Sequence, residues 1–92
     1  MNGQQEVFLT NVRKIQDEVV NVMLTNRNRY DDLDELISDA TYEMTCRIME
    51  LFDGYYNEEL KYRITEMNSN ETVNEFSNLH DLCEDYLKCP NK

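Results

Sequence analysis

The chain has 92 residues, with 19 acidic against 9 basic side chains, a net charge of −10, and 40% hydrophobic residues. That length suits one small domain, and the apolar content is too high for a disordered chain. The acid excess argues against a nucleic-acid binder of the ordinary basic-faced kind and against adhesion to an anionic membrane.

Two glycines and one proline are too few for a loop-rich or many-turned sheet fold. The expected class is therefore all-α: a single domain over residues 1–92, built as a small antiparallel bundle of three long amphipathic helices plus a short fourth element. The first helix is expected from about Gln4 to Leu24. Phe8, Val12, Ile15, Val19, Val22 and Met23 recur there at three- and four-residue steps. Asn2 followed by Gln5 has the spacing of a capping box. Leu9, Val20 and Leu24 widen the apolar face beyond what a small bundle needs. The polar, basic stretch Thr25–Arg29 reads as the first connection.

The second helix is expected from about Asp32 to Asp53, with Leu33, Leu36, Ile37, Ala40, Met44, Ile48 and Leu51 as its buried stripe. Asp31, Asp32, Asp34 and Glu35 fall at its start, where carboxylates favour the positive end of the helix dipole. Gly54 follows as a left-handed cap. Residues 57–67 fit a short helix through Leu60, Ile64 and Met67, and an alternating strand through Leu60, Tyr62 and Ile64. Helix is the preferred reading, because no second strand is evident for the first to pair with; pairing across a dimer is the exception. After the turn cluster Asn68-Ser69-Asn70, a last helix is expected from about Glu71 to Lys88, with Val73, Phe76, Leu79, Cys83, Tyr86 and Leu87 inward and Pro90 ending it.

Charge is unevenly distributed along this frame. Residues 1–30 hold three acids and four bases, residues 31–59 ten acids and one base, and residues 60–92 six acids and four bases. On the second helix, Asp32, Glu35, Asp39, Glu43, Glu50 and Asp53 fall within an arc of roughly 80°, facing away from the apolar stripe. With Tyr42 and Met49 as apolar anchors beside them, these residues form the candidate partner-binding site: Asp32, Glu35, Asp39, Tyr42, Glu43, Met49, Glu50 and Asp53. Such a strip suits a basic partner, since clustered charge steers encounter. Its charge spacing, about 6 Å at four-residue steps, is coarser than the ~3.4 Å of one DNA strand, so it fits part of a basic groove better than it mimics a duplex.

Catalytic chemistry has no such support. His80, Cys83 and Glu84 share a helical side, but His80 is the only histidine and no other cysteine has metal-ligand spacing to Cys83. No Gly-rich phosphate loop and no singled-out carboxylate pair occurs. Neither a cofactor nor a metal is expected, and the chain does not read as an enzyme. No basic stretch followed by an apolar one opens it, and its three cysteines, Cys46, Cys83 and Cys89, read as reduced thiols, so the expected compartment is the cytoplasm. In format the chain resembles bacterial immunity proteins, antitoxins and phage-encoded inhibitors of host defence such as anti-CRISPR proteins: short, acidic, helical and without catalytic motifs. The resemblance implies an inhibitor that captures a basic protein, such as a nuclease or another nucleic-acid-binding protein, without itself touching nucleic acid or membrane. The alternative is a structural or regulatory helical protein of bacterial or phage origin that completes a homodimer.

Overall fold

The N-terminal end of the first helix is built as its sequence dictates. In the computed structural model, which describes residues 2–75 and 78–88, α1 runs from Gly3 to Asn26. The Asn2 side chain accepts the Gln5 N–H at 2.8 Å, and the Gln5 side chain accepts the Asn2 N–H at 2.8 Å. Two of the four orphan donors of the first turn are thereby satisfied reciprocally. Ile15, Val19 and Met23 are the buried residues of α1, all from the expected stripe. A single 3-10 turn, Arg27–Arg29, follows.

The second helix, α2, runs from Leu33 to Asp53. Asp32 caps it, its carboxylate accepting the Glu35 N–H at 2.8 Å, while Glu35 reaches back to the Asp31 N–H at 3.3 Å. The chain forms two compact units whose boundary falls inside this helix: one holds the residues up to Met44 together with Lys88, the other Thr45–Leu87.

In the first unit, Tyr30 is the clasp between the two helices. Its hydroxyl donates to the Asp39 carboxylate of α2 and lies 3.8 Å from Sδ of Met23 at the end of α1. Burial of the phenol and its bond to Asp39 bring a carboxylate inside where the hydropathy pattern places apolar residues. Asp39 is 6% exposed, whereas Leu33 is 68% and Ile37 53% exposed. Over Leu33–Met44, the buried side of α2 thus lies roughly a third of a turn from its apolar stripe.

In the second unit, α2 ends at Gly54, whose φ of +87° is the left-handed conformation expected of it. Its N–H donates to Leu51 O, and those of Tyr55 and Tyr56 donate to Glu50 O. Cβ and Cγ of Lys61 stand 3.3 Å from where a Gly54 side chain would begin. Gly54→Ala is therefore expected to destabilise the chain by about 1–3 kcal/mol, from the positive φ and the crowding together. Chemical denaturation of the two chains side by side checks this; equal midpoints would show that the turn relaxes freely.

Residues 57–67 correct the preferred helical reading. They hold a turn at Asn57, with Leu60 N–H bonded to Asn57 O and Glu59 N–H to the Asn57 side chain, and then an extended stretch. A second extended segment does exist, inside the region expected to open the last helix. Thr65 and Thr72 form an antiparallel bridge, with Val73 N–H bonded to Ile64 O and Glu66 N–H to Glu71 O. The turn cluster joins the two arms: Asn70 takes φ +62°, and the Glu66 carboxylate accepts the Ser69 N–H at 2.6 Å. Hydrogen bonds from the Ser69 side chain, then from the Ser69 and Asn68 backbone, hold the Glu66 carboxyl below its usual range.

The last helix, α3, is correspondingly short, from Leu79 to Tyr86. The expected inward Phe76 and the terminating Pro90 lie outside the described residues. The class is all-α, with about two thirds of the described residues helical and no strand beyond the single bridge. Among the described residues its make-up is two long helices, one short helix and an extended pair, not three long helices and a fourth element. Among the described residues no helix is long and apolar enough to cross a membrane.

Candidate functional site

The eight residues read from sequence as a docking strip divide between the two units, and their surroundings differ. In the first unit, Asp32 is exposed, but its carboxylate serves as the α2 cap. Glu35 is half-buried and closes the same capping arrangement. Asp39 is inside, held by Tyr30. Tyr42 and Glu43 are half-buried. An outward strip requires all of these to face solvent, so Asp39 departs from it.

The Tyr30–Asp39 pair has an electrostatic consequence for the phenol. The Tyr30 pKa is pushed up from 10.0 to about 12, first by its hydrogen bond to Asp39, then by burial, then by the negative charges of Asp39 and Glu43, with Arg29 opposing. The phenol keeps its proton because that proton satisfies a carboxylate removed from water.

In the second unit, Met49 and Glu50 are half-buried and Asp53 is 3% exposed. Asp53 also departs from an outward strip, and its role is architectural. Asn78, the residue at the N-cap position of α3, makes no capping bond with its side chain. Asp53 supplies the missing acceptor from a distance in sequence: its Oδ2 accepts the His80 N–H at 2.9 Å and lies 2.8 Å from His80 Nδ1. The His80 ring packs on Tyr55 at a centroid distance of 4.7 Å, and Asn78 donates to the Tyr55 hydroxyl at 3.2 Å. Nε2 of His80 lies 3.3 Å from the Asp81 carboxylate. Both ring nitrogens thus face acids, and Cys83, one turn on, is buried with Sγ donating to Leu79 O. Neither Cys46 nor Cys83 is in a disulfide, and Cys89 lies outside the described residues. Among the described residues no group of three or more His, Cys, Asp or Glu could hold a metal ion.

With Asp39 and Asp53 turned inward, the side of α2 open to solvent in the first unit is the start of its apolar stripe. Leu33 and Ile37, four residues apart on one face, are both more than half exposed. Asp31, Asp32 and Asp34 surround them, all exposed. The spacing of Leu33 and Ile37 predicts core positions because their period is that of a buried stripe. The signal that could have warned of it is the apolar-acidic alternation Asp32-Leu33-Asp34, which surrounds a supposed core residue with charge. A comparison with known proteins finds no matching family model, no matching curated protein and no matching solved structure.

Proposed function

We propose that the chain is a small acidic binding module that inhibits a basic, nucleic-acid-handling protein by docking the first two turns of α2 onto it. The observation that carries this reading is the Leu33–Ile37 pair, exposed by 68% and 53% and set among Asp31, Asp32 and Asp34. A solvated helix face has no use for two large aliphatic side chains one turn apart. An interface has: they fill a partner pocket and set the dissociation rate, while the surrounding carboxylates meet a basic rim and set the encounter rate. In this reading the anchors are Leu33 and Ile37, with Tyr42 and Met49 half-buried in the protein's own structure. The short, acidic, helical format of immunity proteins, antitoxins and anti-defence inhibitors supports the inhibitory role.

The test is capture of a basic protein from a cell lysate by three chains: the parent, Leu33→Ser with Ile37→Ser, and Asp31→Lys with Asp34→Lys. The serine chain is expected to release the partner at least tenfold faster; the lysine chain is expected to associate more slowly and to lose salt dependence. The captured protein's activity should fall when the parent is added. Equal capture by all three chains would sink the reading.

A second reading is favoured by α1, where Leu9, Val20 and Leu24 are half-exposed within an arc of roughly 60°. Residues 1–30 carry a balance of +1 in a chain of −10, so two copies could meet there without strong repulsion. A homodimer in sedimentation that Leu24→Glu dissociates, together with failed capture, would put this reading first.

A further inference from the structure

The extended segment Lys61–Thr65, which ends in the Thr65–Thr72 bridge, has one finished edge. Tyr62 N–H donates to Phe52 O at 2.9 Å, and Tyr62 O accepts from Nδ2 of Asn74 at 2.6 Å. Ile64 N–H donates to Oδ1 of Asn74 at 3.0 Å, and Ile64 O accepts the Val73 N–H at 2.7 Å. The Asn74 carboxamide, one donor and one acceptor on a planar group, stands in for a stretch of partner backbone. Every backbone group of Tyr62 and Ile64 is therefore satisfied on the inner side. Because backbone groups alternate between the two edges of a strand, those of Lys61, Arg63 and Thr65 point the other way. Among the described residues they make no hydrogen bond.

The side chains on this edge are equally distinctive. Lys61 and Arg63, two residues apart, project to one face and are exposed. In a chain with 19 acids, neither has an ion-pair partner among the described residues. Together with Tyr62, Thr72, Asn74 and Glu75 they line an open cavity of about 530 Å³. Glu75 is the single carboxylate against the two cations, so the lining is net positive on a strongly negative molecule.

We propose that this edge binds an extended acidic segment of a partner protein by strand addition, its backbone pairing with Lys61, Arg63 and Thr65. Carboxylates two residues apart on the added strand would stand opposite Lys61 and Arg63, where cross-strand charge pairs are favourable. The charge complementarity selects this occupant over a basic peptide. The site shares no residue with the acidic surface on α2 and has the opposite sign, so the two would engage different segments or different partners.

The test uses the full chain and a blocked synthetic peptide of alternating valine and glutamate. Expected results are protection of the Lys61, Arg63 and Thr65 amides from hydrogen exchange on adding the peptide, and a loss of affinity of roughly tenfold in Lys61→Glu with Arg63→Glu. A peptide N-methylated at alternate residues, which lacks the donors, should not bind. Arg63→Pro deletes one outward N–H from an edge position and leaves Lys61 as the one cation of the cavity, so it should weaken binding. Equal binding of a lysine-for-glutamate peptide would overturn the proposal. So would protection that grows with protein concentration alone, which would mean that the edge pairs with a second copy. So would the absence of any protection, in which case Lys61 and Arg63 merely guard the edge against pairing.

Discussion

Asp53→Ala is expected to unfold α3 and to lower the stability of residues 45–87 by about 3–5 kcal/mol. An isolated helix of eight residues is far below the length that holds in water, so α3 persists only through its tertiary contacts. Asp53 makes two of these with a single oxygen, accepting the His80 N–H in the first turn and meeting the His80 ring. Removing the carboxylate exposes an orphan donor at the start of α3 and leaves the His80 Nδ1 without its partner. Asp53→Asn keeps an acceptor at the same place and should lose much less. Hydrogen exchange checks this directly. The Leu87 amide, bonded to Cys83 O at 2.8 Å, should lose its protection in the alanine chain and retain most of it in the asparagine chain. Full protection in both would show that Cys83 burial and the contacts of Asn78 and His80 with Tyr55 hold the helix without the carboxylate.

That pair of roles explains what the amino-acid sequence revealed and what it concealed. The Asn2–Gln5 capping box, the extent of α1 and the left-handed Gly54 are local features, decided by residues within four positions of one another, and the structure has all of them. The limits of α2 followed from the same local logic, with Asp32 as cap. Its facing did not. A hydropathy stripe reports where apolar groups recur, and it carries no record of a phenol, nine residues from Asp39, that makes one carboxylate cheap to bury. The arms around Thr65 and Thr72 were hidden for a related reason. A strand needs a partner, and half of the inner partner of Lys61–Thr65 is the Asn74 side chain, which no strand periodicity contains. Once Glu71–Asn74 is committed to that pairing, the last helix cannot begin at Glu71, and it starts instead where Asp53 supplies the acceptor. The candidate site was legible as a concentration of acid on α2. Which of those acids face solvent was not, because burial of Asp39 and Asp53 depends on Tyr30 and His80.

Tyr30→Phe is expected to cost about 2–3 kcal/mol near neutral pH, since it leaves the Asp39 carboxylate inside without its donor while preserving the ring's packing. Tyr30→Phe combined with Asp39→Leu should recover part of that loss, because a buried polar group then disappears together with its partner. The pH dependence distinguishes loss of this hydrogen bond from a simple packing defect. The folded pKa of Tyr30 is raised from 10.0 to about 12, so the folded state holds this proton more tightly than the unfolded chain does. The stabilisation linked to it is fully present below pH 10 and is lost as pH rises from about 10 to about 12. Denaturant midpoints measured across that window should therefore fall more steeply for the parent than for Tyr30→Phe, and the two curves should converge at the alkaline end. Ultraviolet absorbance of the phenolate gives a second readout. One of the six tyrosines should titrate near pH 12 in the parent, and that step should vanish in Tyr30→Phe. Parallel stability curves, with the late phenolate step still present in the variant, would place the clasp between α1 and α2 on apolar packing alone and leave the inward turn of Asp39 without a cause in Tyr30.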